Sequence, residues 1–453
     1  MKIAPNNAKY FTYDELVERL KALEKEFHPD LTLKVIGKSR EGRDIYIISL
    51  GNGDKTITAV GNMHADEPTG TVALYWLTRA LLENTELSWY LNNFTFHFVP
   101  TANPDGLEKN KGWFTDSFNN LLFAVEHFRD LHKDDIEWSF PSPYCTKPKR
   151  PEQVALKSLF DSLPRINFYH SLHHNRLSAA SVLVSFPKHF EKTNLIIEDI
   201  KQLLTRYGMP LDKSDYEGWG YVKLDDGVYR ISGLEDILED YDNALQKGEI
   251  SQEEYNRLVE NLGADSVSYV QSVHNCPAFV TELPYGFDPK LNDDTETEIK
   301  RSDWLIKLIE IAEIALGYAE SEFKKLEDCN LPSTEWFFNH LKDLLELTKS
   351  YLKATKANAQ KFKGNATKAD LFYYEMKLDS LMLYYNARFA RLCKLAYEST
   401  GKEEFNRRYN HYIGLAKEHN DKVMKMLDQF EPTPLDKIAD VQAELILLST
   451  KYV

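Results

Sequence analysis

The sequence predicts an α/β domain, built on a mixed and largely parallel sheet flanked by helices, followed by an all-α helical bundle. As far as residue 328, short apolar segments typical of buried strands alternate with helical segments. Beyond residue 333 the strand-like segments stop, and four helical patterns follow with short connections. A chain of 453 residues also exceeds the size at which a single core stops growing. We therefore expect two domains, at residues 8–328 and 333–453.

The chain is predicted to begin with a helix and a β-hairpin. Leucines recur at helical spacing in residues 13–27, and Thr12 and Glu15 have the spacing of a capping box. Residues 31–37 and 44–50 alternate between apolar and polar side chains and are joined by a turn, which is typical of two paired strands.

Strands and helices then alternate, which favours parallel strands with sites at their carboxyl ends. The further predicted strands are residues 56–60, 94–100, 166–172, 182–186 and 278–284. The predicted helices are residues 71–84, 118–131, 153–162, 189–208, 233–262 and 296–326.

The predicted bundle carries no pattern that points to chemistry. Thr367 and Asp370 form a capping-box pair, and Gly401 is a helix stop. Oligomerisation, covering of an active-site cleft and docking of a partner all remain open as roles for these helices. The four helical patterns are residues 333–361, 367–397, 403–429 and 434–450.

Composition narrows the class of protein. With 55 Lys and Arg against 70 Asp and Glu, the net charge is −15, which argues against nucleic-acid binding. The polar N-terminus lacks a signal-peptide pattern, and no apolar run reaches the ~18 residues of a membrane span. The four cysteines are scattered, which favours reduced thiols. We expect a cytoplasmic protein that binds neither nucleic acid nor membrane.

Polar residues at the ends of predicted strands suggest a metal site. His64 and Glu67, three residues apart, follow the strand at residues 56–60, and two such side chains can turn onto one ion. His173 follows another strand, and Glu282 lies within a third. Catalytic zinc sites take three His or Glu ligands and leave one position open.

The order His64-x-x-Glu67, then His173, then Glu282 resembles the zinc carboxypeptidase family, the carboxypeptidase A-like metallopeptidases. The resemblance covers residues 8–325 and makes the chain an atypical member with a C-terminal helical extension. It implies that the first three residues bind one Zn²⁺ per chain. Supporting segments are Gly37-x-Ser39-x-x-Gly42-Arg43, Asn103-Pro104-Asp105-Gly106 and Thr281-Glu282-Leu283.

The same resemblance implies an activity. Glu282 would act as the general base that takes a proton from water and passes it to the leaving amine. Its apolar neighbours, Phe279 and Val280, favour a raised pKa that suits this role. The expected reaction is hydrolysis of a peptide or of a small amide-containing substrate. Asp66, beside the ligands, is expected to be structural.

The segment that reads the substrate departs from the family pattern. The family carries Asn-Arg in a segment resembling residues 135–141, and that arginine grips the C-terminal carboxylate. Here Glu137 and Trp138 stand at the two positions. A carboxylate suits an ammonium or guanidinium group, and Trp138 offers an apolar or cation–π surface. We therefore expect altered substrate recognition, for example of a basic group or of a γ-linked amide such as a murein peptide.

Other substrate-binding residues are harder to assign. The arginine that polarises the scissile carbonyl in the family is not evident after Gly106, and Lys109 and Lys111 are the nearest cations. Arg176 and Arg230 are candidate anchors for an anion. Our substrate-binding candidates are Glu137, Trp138, Lys111 and Arg176. The family's downstream tyrosine is not placed among Tyr221, Tyr229, Tyr241, Tyr255 and Tyr269.

Two other classes of function stay open. A degenerate peptidase fold with altered recognition would bind a ligand or partner without turnover, although such a module has no need of Glu282. An aminoacylase or desuccinylase-type hydrolase would share the zinc ligands, but usually lacks the segment from Asn103 to Gly106.

Overall fold

The computed structural model describes residues 1–131, 134–145, 150–187, 190–214, 221–231, 233–248, 250–260 and 262–453. The chain divides into two compact units. The sheet unit comprises Met1–Ser117, Phe128–Tyr285 and Thr433–Val453. The helical unit comprises Phe118–His127 and Gly286–Pro432.

Strands and helices are numbered along the whole chain. The strands are β1 (Leu31–Lys38), β2 (Asp44–Leu50), β3 (Lys55–Gly61), β4 (Phe94–Val99), β5 (Phe168–Asn175), β6 (Ser181–Ser185), β7 (Tyr221–Asp225), β8 (Val228–Ile231), β9 (Ala278–Pro284), β10 (Gly286–Phe287), β11 (Glu296–Lys300), β12 (Asn365–Thr367) and β13 (Glu431–Pro432). The helices are α1 (Tyr13–Phe27), α2 (Thr69–Glu83), α3 (Ser88–Asn93), α4 (Pro104–Asn110), α5 (Asn120–Glu126), α6 (Pro151–Ser162), α7 (Thr193–Arg206), α8 (Leu234–Gln246), α9 (Gln252–Glu260), α10 (Ser266–His274), α11 (Arg301–Lys324), α12 (Glu335–Asn358), α13 (Lys368–Thr400), α14 (Glu403–Met426) and α15 (Leu435–Ser449).

The sheet unit contains a nine-stranded mixed sheet in the order β1-β2-β4-β3-β5-β9-β6-β8-β7. Its central strands β4, β3, β5 and β9 are parallel, and β1 and β2 form the predicted antiparallel hairpin. This confirms the predicted fold class. Because the central strands are parallel, the carboxyl ends of β3, β5 and β9 lie along one edge of the sheet.

Local sequence explains the flanking helices. The predicted capping box of Thr12 and Glu15 begins α1, whose leucines at helical spacing are buried. Some predicted helices are shorter than expected. The pattern at residues 118–131 forms only α5, and the pattern at 233–262 is divided between α8 and α9.

The last helix, α15, belongs to the sheet unit and packs against α2, α7 and β5. Asp440 of α15 accepts hydrogen bonds from the backbone amides of Ile3 and Ala4. This differs from the predicted boundary, which placed residues 333–453 together. The helix predicted at residues 434–450 is present as α15, but periodicity does not specify which core a helix covers.

The helical unit is formed by α5 and α11–α14, with two short strand pairs, β10–β13 and β11–β12. The predicted capping box of Thr367 and Asp370 begins α13, and Gly401, with φ of +68°, ends it. The unit therefore includes α11, which was expected in the first domain, and excludes α15. Residues 296–300 form β11 rather than the predicted start of a helix.

In the described ranges, no helix has both the length and the apolar character needed to cross a bilayer. All four cysteines are free.

The packing of α15 makes a testable prediction. Leu445 is fully buried, whereas Leu448 is half-buried. Leu445→Ala should lower the free energy of unfolding by about 2–5 kcal/mol, because it leaves a cavity in the core, and Leu448→Ala should cost less. Hydrogen exchange should accelerate in peptides from α2 and β5. Acceleration confined to α12–α14 would contradict the assignment of α15 to the sheet unit.

Candidate metal centre

The loop after β3 carries His64 and Glu67. Asn62 adopts a left-handed conformation with φ of +52°, and its side-chain amide donates to the carbonyl oxygens of His64, at 2.8 Å, and Ala65, at 3.3 Å. Asparagine tolerates this conformation and can hydrogen-bond locally, so it turns the chain sharply at the end of the strand. Both candidate ligands therefore face the edge of the sheet.

Close packing with α4 fixes the same loop from the other side. A Cβ atom added to Gly106 would lie 2.5 Å from the Cβ atom of Ala65. Only glycine permits this approach of helix and loop. The segment from Asn103 to Gly106, recognised in the sequence, thus supports the ligand loop.

His173 and Glu282 are neighbours in the sheet. β5 and β9 are parallel, and their register places His173 opposite Glu282. Since paired residues of adjacent strands direct their side chains to the same face, both are presented on one side of the sheet. His173 is almost fully buried, and Glu282 is half-buried.

The structure brings the three predicted ligands together. Nδ1 of His64 lies 3.0 Å from Nδ1 of His173 and 3.0 Å from Oε1 of Glu67. Nδ1 of His173 lies 2.7 Å from Oε2 of Glu67. All three side chains are buried, and one ligand atom from each lies within 4.8 Å of the others.

This donor set fits zinc. Tetrahedral zinc with bonds of about 2.0–2.2 Å requires ligand atoms separated by roughly 3.3 Å, close to the distances seen. Two imidazole nitrogens facing one another also need a proton or a cation between their lone pairs. Imidazole and carboxylate ligands are those that catalytic zinc takes.

Electrostatics at the cluster favour a cation. Burial and Arg129 lower the pKa of His64, but the charges of Glu67 and Asp135 outweigh them and raise it. Burial lowers the pKa of His173, but Glu67 and Glu137 raise it well above its usual value. The carboxylates that stabilise a protonated imidazole would equally stabilise a divalent ion.

The rear nitrogens of both histidines face carboxylates. Nε2 of His64 lies 3.6 Å from Oδ2 of Asp135. Nε2 of His173 is 2.7 Å from the Ser171 hydroxyl and 3.6 Å from Oε2 of Glu137. Carboxylates in this position orient metal-binding histidines and raise their basicity.

Glu137 therefore lies behind His173, where the sequence had suggested a substrate-binding side chain. Its Oε1 accepts hydrogen bonds from the Ser266 amide, at 3.1 Å, and the Ser266 hydroxyl, at 2.5 Å. Its Oε2 accepts from Ser171 at 3.2 Å. Only 5% of Glu137 is exposed, so its carboxylate is directed into the protein and is poorly placed to contact an ammonium group. The sequence did not indicate which residues surround it.

Arg129 is the residue at this site that the sequence did not reveal. Its Nη1 donates to Oε1 of Glu67 at 2.6 Å and to Oδ1 of Asp66 at 3.2 Å. These two carboxylates and Asp135 outweigh burial and raise the pKa of Arg129. The sequence did not point to Arg129 because α5 separates it from Gly106. One signal existed, since Arg129 is the sole arginine between residues 107 and 149.

Glu282 has the electrostatic environment of a base. Burial, and then the negative charge of Glu67, raise the pKa of its carboxyl to about 7, against the opposing effect of the two histidines. A carboxyl group with such a pKa can both accept and donate a proton near neutral pH.

The remaining substrate-binding candidates are not part of the cluster of His64, Glu67 and His173. Lys111 is largely exposed and pairs with Glu108, and Lys109 pairs with Glu41 at 2.6 Å. Trp138 is half-buried next to Glu137. The other two predicted cations are Arg176, which is half-buried just after β5, and Arg230, which pairs with Asp236 at 3.0 Å.

Among the tyrosines left open by the sequence, Tyr221 lies near the site. Burial raises the pKa of its hydroxyl to about 12, and the charges of Glu282, Asp265 and Glu137 contribute to the shift. By contrast, the hydroxyl of Tyr229 donates to backbone carbonyls. Tyr221 is thus a candidate for the family's downstream tyrosine.

Residues 16–176 match the family model of zinc carboxypeptidases. This part of the chain belongs to the zinc carboxypeptidase family. The match includes His64, Glu67 and His173, so the residues that converge in the structure lie within the part of the chain that the family describes.

Relatives of this family are distant in sequence. Human carboxypeptidase D is 27% identical over 199 residues, which is 41% of this chain and 13% of that protein. Chicken carboxypeptidase Z is 31% identical over 113 residues, 22% of this chain and 18% of that protein. The matches thus span less than a fifth of these relatives' lengths.

Solved structures with similarity include bovine thrombin-activatable fibrinolysis inhibitor in complex with tick carboxypeptidase inhibitor. It is 14% identical, with a TM-score of 0.41, and the match covers 61% of this chain and 87% of that one. Carboxypeptidase A from Helicoverpa armigera is 17% identical, with a TM-score of 0.41, covering 62% of this chain and 67% of that one.

The geometry predicts one zinc ion per chain. His64→Ala and His173→Ala should each weaken zinc binding by at least about 100-fold, because each removes one of three ligands. The matched control is His97→Ala, which changes a half-buried histidine of β4 that contacts Ser49 of β2. Metal analysis and competition with a chelator measure the effect. Native-like affinity in His173→Ala would contradict the ligand assignment.

Proposed function

We propose that the chain is a zinc-dependent hydrolase that cleaves a peptide or amide bond by promoted attack of water. The observation that carries the proposal is the convergence of His64, Glu67 and His173, with Glu282 in register beside His173. Membership of the zinc carboxypeptidase family supports the same chemistry. Bound zinc would supply Lewis acidity, which makes water more acidic and polarises a carbonyl group.

Glu282 is the general base in this proposal. Its carboxylate accepts a proton from the attacking water and donates it to the leaving amine as the carbon–nitrogen bond breaks. The pKa of about 7 suits both transfers near neutral pH. The register with His173 holds the carboxyl group next to the metal ligands.

Arg129 is proposed to stabilise negative charge on the carbonyl oxygen. Its guanidinium touches Glu67 and is partly exposed, with 37% of its side chain accessible. A fixed positive charge lowers the activation barrier most when it lies next to the atom on which negative charge develops in the transition state. Arg129 thus takes the role that the sequence left to Lys109 or Lys111.

Substrate recognition is proposed to differ from that of the family. Trp138 stands where the family's carboxylate-gripping arginine is found, and a tryptophan cannot form the bidentate pair that arginine makes with a carboxylate. The Glu137 carboxylate already contacts Ser171, Ser266 and His173. We therefore assign recognition of the substrate to Trp138 and to Arg176, which follows β5. The proposed substrate is therefore a peptide or small amide that needs no free α-carboxylate.

The assignment of Glu282 as the general base predicts a loss of activity without a loss of zinc binding. Glu282→Gln should lower kcat by about 100- to 10,000-fold, because the amide cannot accept the proton, while zinc binding stays near native. The control is Glu296→Gln, on β11 in the helical unit. Steady-state kinetics and metal analysis of the same preparations measure both effects. Full activity of the zinc-loaded Glu282→Gln variant would overturn the mechanism.

The altered recognition predicts a substrate preference. The native chain should hydrolyse an acylated dipeptide and its C-terminal amide with kcat/KM values within about fivefold of each other, since position 138 carries a tryptophan in place of the arginine that would pair with the carboxylate. Trp138→Arg should raise the preference for the free acid by about tenfold or more. Trp138→Gln is the matched control, because it removes the ring without adding a charge.

A native preference of 100-fold or more for the free acid would contradict the altered recognition. Stoichiometric zinc with no turnover of peptides or N-acyl amino acids would instead favour a binding module. Turnover confined to N-acyl amino acids would favour an aminoacylase-type activity.

A further inference from the structure

One buried amide connects the loop of two candidate zinc ligands with the segment that carries Arg129. Asn110 is the last residue of α4 and is fully buried. Its Nδ2 lies 2.8 Å from each of three carbonyl oxygens, those of Ala65, Gly106 and Phe128. Its Oδ1 accepts a hydrogen bond from the Phe128 amide, also at 2.8 Å.

Two of the residues that this amide contacts are sequence neighbours of the candidate ligands and of Arg129. Ala65 lies between His64 and Glu67 in the ligand loop. Phe128 directly precedes Arg129, whose Nη1 is 2.6 Å from Oε1 of Glu67. The Asn110 side chain therefore holds both sides of the Arg129–Glu67 contact through their backbones.

The orientation of the amide is itself fixed. Nε1 of Trp113 donates to Oδ1 of Asn110 at 2.8 Å. Because an indole N–H is only a donor, it identifies the atom it meets as the amide oxygen. The other side of the amide is then the donor that faces the carbonyls of Ala65 and Phe128.

We propose that Asn110 is a positioning residue that sets the distance between Arg129 and the ligand loop. This inference rests on the proposed function, in which Arg129 acts on the substrate. Asn110 touches neither the substrate nor the metal ligands' side chains. It acts through Ala65, which places His64 and Glu67, and through Phe128, which places Arg129. Interactions one layer behind ligands typically affect metal affinity or activity about 10- to 100-fold.

The variants separate positioning from general stability. Asn110→Leu keeps the branching of the side chain at Cγ and removes all of these hydrogen bonds. Asn110→Ala leaves space in which water can pair with the exposed backbone groups, so it preserves the fold if the leucine variant does not. Trp113→Phe removes the orienting bond and keeps an aromatic ring at this position. Asn167→Leu is the matched control, since Oδ1 of Asn167 accepts from the Thr56 amide elsewhere in the sheet unit.

The first readout does not depend on activity. Cobalt(II) replaces zinc as the probe, and its visible absorption reports the arrangement of its ligands. Asn110→Leu or Asn110→Ala should change the intensity or position of the cobalt bands and weaken cobalt binding about tenfold. Asn167→Leu should reproduce the native spectrum.

The second readout is a double-mutant cycle with Arg129→Ala, at saturating zinc. Asn110→Ala alone should lower kcat about 10-fold or more, with KM changed less than about threefold. In the Arg129→Ala background, the same change should lower kcat by no more than about threefold, because the group it positions is already absent.

The outcomes are distinct. Fully additive losses together with a native cobalt spectrum would overturn the inference. An altered spectrum in a chain that hydrolyses nothing would refute the proposed function and retain Asn110 as an organiser of the ligand loop. Failure of the native chain to bind cobalt would overturn both.

Discussion

Nδ1 of His64 and Nδ1 of His173 face each other across 3.0 Å, with the Glu67 carboxylate in contact with both. Two imidazole lone pairs at this distance repel unless a proton or a metal ion lies between them. Their burial makes that requirement stronger, because little water is present to relieve it. The surrounding carboxylates supply the negative potential that a cation needs. Other parts of the sheet unit hold these side chains in place.

Several independent parts of the fold converge on it. Parallel pairing of β3, β5 and β9 brings the strand ends to one edge. The left-handed turn at Asn62 and the close packing of Gly106 shape the ligand loop. Behind β5, Gln442 of α15 donates to the carbonyl of His173 at 3.0 Å. α15 thus supports His173 through its backbone, whereas Ser171 and Glu137 contact its side chain. The helix and the strand are far apart in the sequence.

Much of this was predictable from local sequence. His64 and Glu67 lie in one short segment after a predicted strand, His173 follows a second predicted strand, and Glu282 lies in a third. These positions could therefore be predicted without tertiary information. Arg129 was not predictable in this way, because α5 is inserted before it. The environment of Glu137 could not be predicted from local sequence, because one of its hydrogen-bond donors, Ser266, lies 129 residues away. The sequence also could not show that α15 belongs to the sheet unit. Helical periodicity indicates which face of a helix is buried, but not which other elements pack against that face.

Zinc K-edge X-ray absorption of the zinc-loaded native chain would show whether His64, Glu67 and His173 form a zinc site. We expect a first shell of nitrogen and oxygen atoms at about 2.0–2.2 Å, with the outer-shell scattering of two imidazole rings. His64→Ala should retain the signal of one ring at most. Sulfur at about 2.3 Å, or a shell of oxygen without imidazole, would rule out this ligand set.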